Sequence, residues 1–172
     1  MGRFDIFSGG VLFVESEPAQ SLSVLKMLLK ELKGQGIIIS ASRPYAMLKK
    51  TIDLSKVFVI DCVTKQGGGD TSGDRVAFVT SPSALTEISL RFREQLKDGF
   101  VIIDSLNSFL IYNEPLPLAR FVHSLLIKLR LAGAKGFVIS EKGLDQSFRA
   151  EIAQLCDGLV RVSIDQEQPT EP

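Results

Sequence analysis

A doubly wound, mainly parallel β-sheet with helices on both faces is the α/β architecture to which this sequence points. Short, continuous, β-branched runs recur along the chain, helical patterns separate most of them, and acidic or small residues stand where the runs stop. The runs are "VLFV" at 11–14, "IIIS" at 37–40, "VFVI" at 57–60, "VAFV" at 76–79, "FVII" at 100–103, "GFVIS" at 136–140 and "LVRVSI" at 159–164. Most show none of the alternation of a half-exposed strand, as expected where helices cover a parallel sheet on both sides.

The helical segments follow in order. Leu22, Leu25, Leu29 and Leu32 fall on one face of a first helix, which "KGQG" at 33–36 stops. "RPYAMLKKT" at 43–51 reads as a short second helix. Ser81 and Pro82 predict the cap and first residue of a third, with Leu85, Ile88, Phe92 and Leu96 turned inward. A fourth starts near Pro115 and buries Leu118, Phe121, Val122, Leu125 and Leu129; a fifth runs from Gln146 to Leu155. With 172 residues and 45% apolar composition, one core is expected, in a single domain over 1–164 followed by a polar tail at 165–172.

Lys plus Arg and Asp plus Glu each number 20, so no overall field draws the chain to nucleic acid or to an anionic membrane surface. Neither is an expected partner. Cys62 and Cys156 lack the close spacing of a zinc or redox motif, and no stretch has the length of a membrane span or a signal peptide. Ile6 stands where an N-myristoylation signal needs Ser or Thr. A cytoplasmic protein is expected.

Ligands of an open parallel sheet bind beyond the carboxyl ends of its strands, which directs attention to Glu15, Ala41, Asp61, Asp104 and Glu141. Asp104, directly after "FVII", is the most suggestive, because a strand-end carboxylate is what a Mg²⁺–nucleotide site uses to hold its metal. The bland alternative is an aspartate that satisfies the next turn. If the strand ends converge, Asp104, Glu15 and Asp61 form the set that would hold a divalent cation. "KQGGGDTSGD" at 65–74 has no Gly-Lys-Ser/Thr and precedes a strand-like run, so it reads as a connector. His123, the one histidine, falls on the outer face of its helix, and no nucleophile–base set can be built on it. Cys62 reads as a buried, inert thiol. Arg43 admits two readings, contact with an anion or local packing.

"GFVIIDSLNSFLIYN" at 99–113, "LARFVHSLLIKLRLAGAKGFVISEKG" at 118–143 and "AQLCDGLVRV" at 153–162 resemble the Walker B strand, following helix and closing strands of the RecA superfamily, in its KaiC-like branch. "GIIISASRPYAMLKK" at 36–50 and "VFVIDCV" at 57–63 resemble segments of the same branch. The resemblance implies a RecA-like core with Asp104 at the Walker B position and "ESEPAQSL" at 15–22 in place of the phosphate loop. Members that hydrolyse ATP carry G-x-x-x-x-G-K-[ST] there. This chain has Glu15 and Gln20 at the glycines, Ser16, Glu17, Pro18 and Ala19 between them, Ser21 at the lysine and Leu22 at the metal-binding hydroxyl. The lysine is gone, Pro18 removes an N–H donor, and Glu15 and Glu17 add like charge. Each carboxylate about 5 Å from a phosphate charge would cost on the order of 3 kcal/mol at an effective dielectric near 20. Ala41 and Ser42 stand where the family places its general-base glutamate.

The resemblance therefore implies no catalytic residues and no cofactor. It implies an adaptor, regulatory or assembly subunit that associates with itself or with another protein, as nucleotide-free relatives such as the Elongator accessory subunits do. The alternatives are a ligand-binding domain, with a divalent metal or unusual nucleotide at the strand ends, and a DNA-associated protein like a recombinase paralogue. "IYNEPLP" at 111–117 and the loop at 65–74 are the expected contact segments.

Overall fold

The computed structural model describes residues 10–164; the expected tail at 165–172 and the first nine residues lie outside the described part. Its elements are β1 (Val11–Ser16), α1 (Ser21–Glu31), β2 (Gly36–Ser40), α2 (Tyr45–Thr51), β3 (Val57–Asp61), β4 (Val76–Phe78), α3 (Leu85–Gln95), β5 (Phe100–Asp104), α4 (Leu106–Tyr112), α5 (Pro115–Leu131), β6 (Lys135–Glu141), α6 (Gln146–Gln154) and β7 (Gly158–Val162). The strands form one seven-stranded sheet in the order β4-β3-β2-β5-β6-β1-β7, and every pairing is parallel.

Alternation along the buried strands sorts the core into two layers. Leu12, Val14, Ile38, Ile102 and Ile139 pack with Val24, Leu25, Leu28 and Leu29 of α1 and Leu48 of α2. Phe13, Ile39, Val101, Ile103 and Val138 pack on the opposite face with residues of α3 to α6. The chain travels from β1 through β2 to β3 with its helices on the first face, then returns through β5, β6 and β7 with its helices on the second. A single crossover hand requires that exchange of faces. The connections after β2 and β5, which are neighbours, leave to opposite faces, and the crevice beyond their carboxyl ends is where such a sheet places its ligand.

Two helix expectations are corrected. α3 begins at Leu85, not at Ser81, because the Ser81 hydroxyl meets that of Ser83 at 2.7 Å and 81–84 closes as a turn, with Ala84 N donating to Ser81 O at 3.1 Å. α4 was not expected; Ser105 caps it by accepting from Ser108 N, and it buries only Leu106 and Phe109, too brief a pattern to announce a helix. Among the described residues no helix is long and apolar enough to cross a membrane.

Candidate functional site

At the β2/β5 crevice the chain supplies its own cation. Ser40 fixes the turn after β2, its hydroxyl donating to Arg43 O at 2.7 Å and accepting from Arg43 N at 3.2 Å. From that turn the Arg43 guanidinium donates from Nη1 to Asp104 Oδ2 at 3.1 Å and from Nη2 to Ser21 Oγ at 2.8 Å. One side chain thus ties the β2–α2 turn, the end of β5 and the first residue of α1. Asp104 is fully buried, while the Arg43 side chain keeps 16% exposure. Burial pushes the Asp104 carboxyl up to about 6, with Arg43 pulling it down and Glu141 adding a smaller upward push. The peptide bond that follows Asp104 is cis. Ser42, Ser105 and Ser108 form a hydroxyl cluster beside it, the Ser42–Ser108 pair at 2.8 Å. Among the described residues, Asp104 Oδ1 and Ser16 Oγ are buried without a hydrogen-bond partner.

The turn from β1 into α1 is held residue by residue. Glu15 alternates with Ser16 and so faces α6, where Arg149 embraces it from Nε and from Nη2 at 3.2 Å and Arg161 approaches at 3.3 Å. The hydrogen bond from Arg149, opposed by burial and joined by the charges of both arginines, holds its carboxyl below the usual range. Glu17 pairs with Lys142. Pro18 and Ala19 are exposed, and Ala19 sits at φ 65, in the turn closed by Gln20 N donating to Glu17 O at 3.2 Å. The Gln20 amide donates to Ile164 O at 2.8 Å and accepts from Ile164 N at 3.1 Å, extending the β1–β7 contact through a side chain. Leu22 joins the packing around α1. The like charge that Glu15 was expected to add at this turn is compensated by two guanidinium groups, from α6 and β7.

The three carboxylates weighed as a cation site do not converge. Asp61 accepts from Tyr45 N at 2.7 Å and from Val63 N and Thr64 N at 2.9 Å each, together with the Thr64 hydroxyl. It caps α2, whose own N-cap position is Pro44 with no side-chain acceptor. Glu15 belongs to Arg149 and Arg161, and Asp104 to Arg43. Among the described residues no group of three potential metal ligands occurs. The main chain of Glu141 is held by Asn107, which accepts from its N at 2.8 Å and donates to its O at 3.2 Å. His123 is exposed, as expected. Cys62 is buried and its thiol is pushed well up by desolvation; Cys156 is pushed up to about 12, also chiefly by burial. Sequence reasoning missed Arg149, Arg161 and Asn107. Of these only Arg161, a charge inside a strand-like run, gave a signal.

No family model and no curated protein matches the chain. A solved structure of a KaiC-like protein from the hyperthermophilic archaeon Pyrococcus horikoshii OT3 matches 95% of this chain and 74% of its own, at a TM-score of 0.59 and 15% identity. The chain has a KaiC-like RecA fold. A second protein of the same organism matches 89% of this chain and 81% of its own, at a TM-score of 0.60 and 10% identity. At these identities the likeness is one of fold.

A KaiC-like RecA fold implies a Mg²⁺–nucleotide at the start of α1, and the residues present do not fit one. At the first residue of α1 the Ser21 hydroxyl already accepts from Arg43, and Arg43 itself is the counter-ion of Asp104 at the end of β5. When Asp104 is ionised the pair is neutral and leaves no net charge for a phosphate, although only Oδ2 is engaged and Oδ1 keeps no hydrogen-bond partner among the described residues. Glu17 and Gln20 are fastened to Lys142 and Ile164. Glu15, Glu17, Gln20 and Ser21 thus each spend their side chain on another part of the chain.

Proposed function

We propose that this chain is a RecA-like scaffold without nucleotide hydrolysis, which works as an adaptor, regulatory or assembly subunit. The observation that carries the reading is the Arg43 guanidinium bound between Asp104 and Ser21, the positions that would otherwise face metal and phosphate. A buried carboxylate needs a counter-charge, and here a side chain from the β2–α2 turn supplies it without any ligand. Exposed apolar side chains add support for protein contact: Ile111 is 75% exposed and Leu116 follows on the next helix, both within the segment expected to meet partners.

The test is thermal unfolding with and without millimolar ATP or ADP and Mg²⁺, alongside a phosphate-release assay. A ligand that binds the folded state at 100 times its Kd stabilises by about 2.7 kcal/mol, so binding would be visible as a shift of several degrees. An unchanged melting temperature and no released phosphate are expected. Stabilisation by ATP·Mg²⁺ that Asp104→Asn abolishes would overturn the reading.

A further inference from the structure

α3 ends at Gln95 and the chain turns back into β5 at Phe100, at the edge of the sheet opposite Asp104. Between that turn and the starts of β2 and β3 lies a cavity of about 130 Å³. Its floor is apolar: Ile37 and Val101 are buried on the α3 side of the sheet, and Phe58 packs beside them. Its rim carries charge of one sign, Arg75 from the segment before β4 and Lys97 from the turn after α3. Among the described residues no carboxylate lines the cavity; Asp74 and Asp98, next to those cations in sequence, are exposed and lie outside the lining. Neither Arg75 nor Lys97 is in an ion pair among the described residues. Arg75 spends Nη1 on Ser55 O, which leaves Nε and Nη2, the edge of a guanidinium that takes both oxygens of a carboxylate. Gln35 and Gln95 bring side-chain amides to the same wall, and no hydrogen bond among the described residues occupies either.

We propose that this cavity is a binding site for a small organic carboxylate with an apolar body, its charge held by Arg75 and Lys97 and its body by the floor. The site goes beyond the scaffold reading and does not depend on it. Electrostatics favours an anion. The carbonyl end of α3 carries roughly half a negative charge, against two whole positive charges at the rim. Lys56, 5.9 Å from the ring centroid of Phe100, adds a third cation nearby. Shape then selects the class. Inorganic phosphate would satisfy the rim and leave the floor wet, an uncharged apolar molecule would fill the floor and leave two cations unpaired, and a nucleotide is too large for the volume.

Titration of the isotope-labelled full chain with sodium benzoate at constant ionic strength, followed by NMR, tests this. Saturable shifts are expected at the amides of 35–37, 58, 75 and 97–101. Arg75→Gln and Lys97→Gln should each weaken binding about tenfold or more, with the rest of the spectrum unchanged because both side chains reach solvent. Benzamide keeps the ring without the charge and acetate keeps the charge without the ring; each should bind about tenfold or more weakly than benzoate. Shifts that never saturate or that spread over the whole surface would overturn the proposal. So would wild-type affinity in both variants, or benzamide or inorganic phosphate binding as well as benzoate. The cavity lies at the far edge from Arg43 and Asp104, so none of these outcomes bears on the test with ATP.

Discussion

Replacing Arg43 with methionine removes the counter-ion of Asp104 while keeping much of the side-chain volume, and its cost should depend on pH in a defined sense. The folded-state value of Asp104 is raised, from the ordinary 3.8 to about 6. Between those values the folded protein holds a proton that the unfolded chain has released, so stability falls as pH rises across the window and then levels off. At about 1.4 kcal/mol per unit, the drop across the window is about 3 kcal/mol. Arg43 is the chief influence holding the value down, so Arg43→Met moves it higher and carries the decline into the neutral range. Breaking a buried ion pair costs about 3–5 kcal/mol. Asp104 can escape part of this by keeping its proton, which puts the expected loss at about 3 kcal/mol near pH 8, roughly 10 °C in Tm for a domain of this size. Near pH 5 the wild-type carboxyl is already largely protonated, and the loss should shrink to that of the hydrogen bonds, about 1 kcal/mol. Asp104→Asn should flatten the wild-type pH dependence over the same range. Urea unfolding followed by circular dichroism at the two pH values measures all of this. Equal losses for Arg43→Met at both would refute the assignment of Arg43 as counter-ion.

Glu15→Gln should cost about 2 kcal/mol at neutral pH, below the range for a fully buried pair because Arg149 and Arg161 both reach solvent. Its folded-state value is depressed, so the stability it contributes is present above the ordinary carboxylate range and is lost as pH falls through the folded value; the variant should lack that part of the acid decline. Urea unfolding between neutral and acid pH compares the two. Gly99→Ala places a Cβ 1.7 Å from the Gln35 carbonyl oxygen, a main-chain atom that cannot turn aside, and should destabilise by about 3 kcal/mol or more in the same assay.

The strands were legible because burial on both faces writes an unbroken apolar run into the sequence, and all seven runs became strands of the sheet. Their order was not, because nothing local tells β1 to lie between β6 and β7. The same limit applies to the site. Asp104 and Arg43 were each singled out, but 61 residues separate them, and their contact follows only when β5 is set against β2. Glu15 was read as an obstacle to phosphate because the loop was considered alone; its compensating arginines arrive from α6 and β7, 134 and 146 positions away. Helix boundaries failed where side chains bonded locally, as Ser81 does with Ser83, so that a residue type favoured at caps served a turn.

The β1–α1 turn and the edge strand β7 hold one another in place. Two side chains from the end of β1 and the turn after it tie down β7 and the residues just beyond it: Glu15 takes Arg161, and Gln20 takes both main-chain groups of Ile164. A glycine at either position, as a phosphate loop requires, would remove the anchor. Glu15 and Gln20 therefore fix the end of the sheet through groups of the chain itself. Order at this end of the sheet follows from folding alone, and Gln20→Ala should loosen the segment after β7 without touching the β1–β7 ladder, which hydrogen exchange at Ile164 would register.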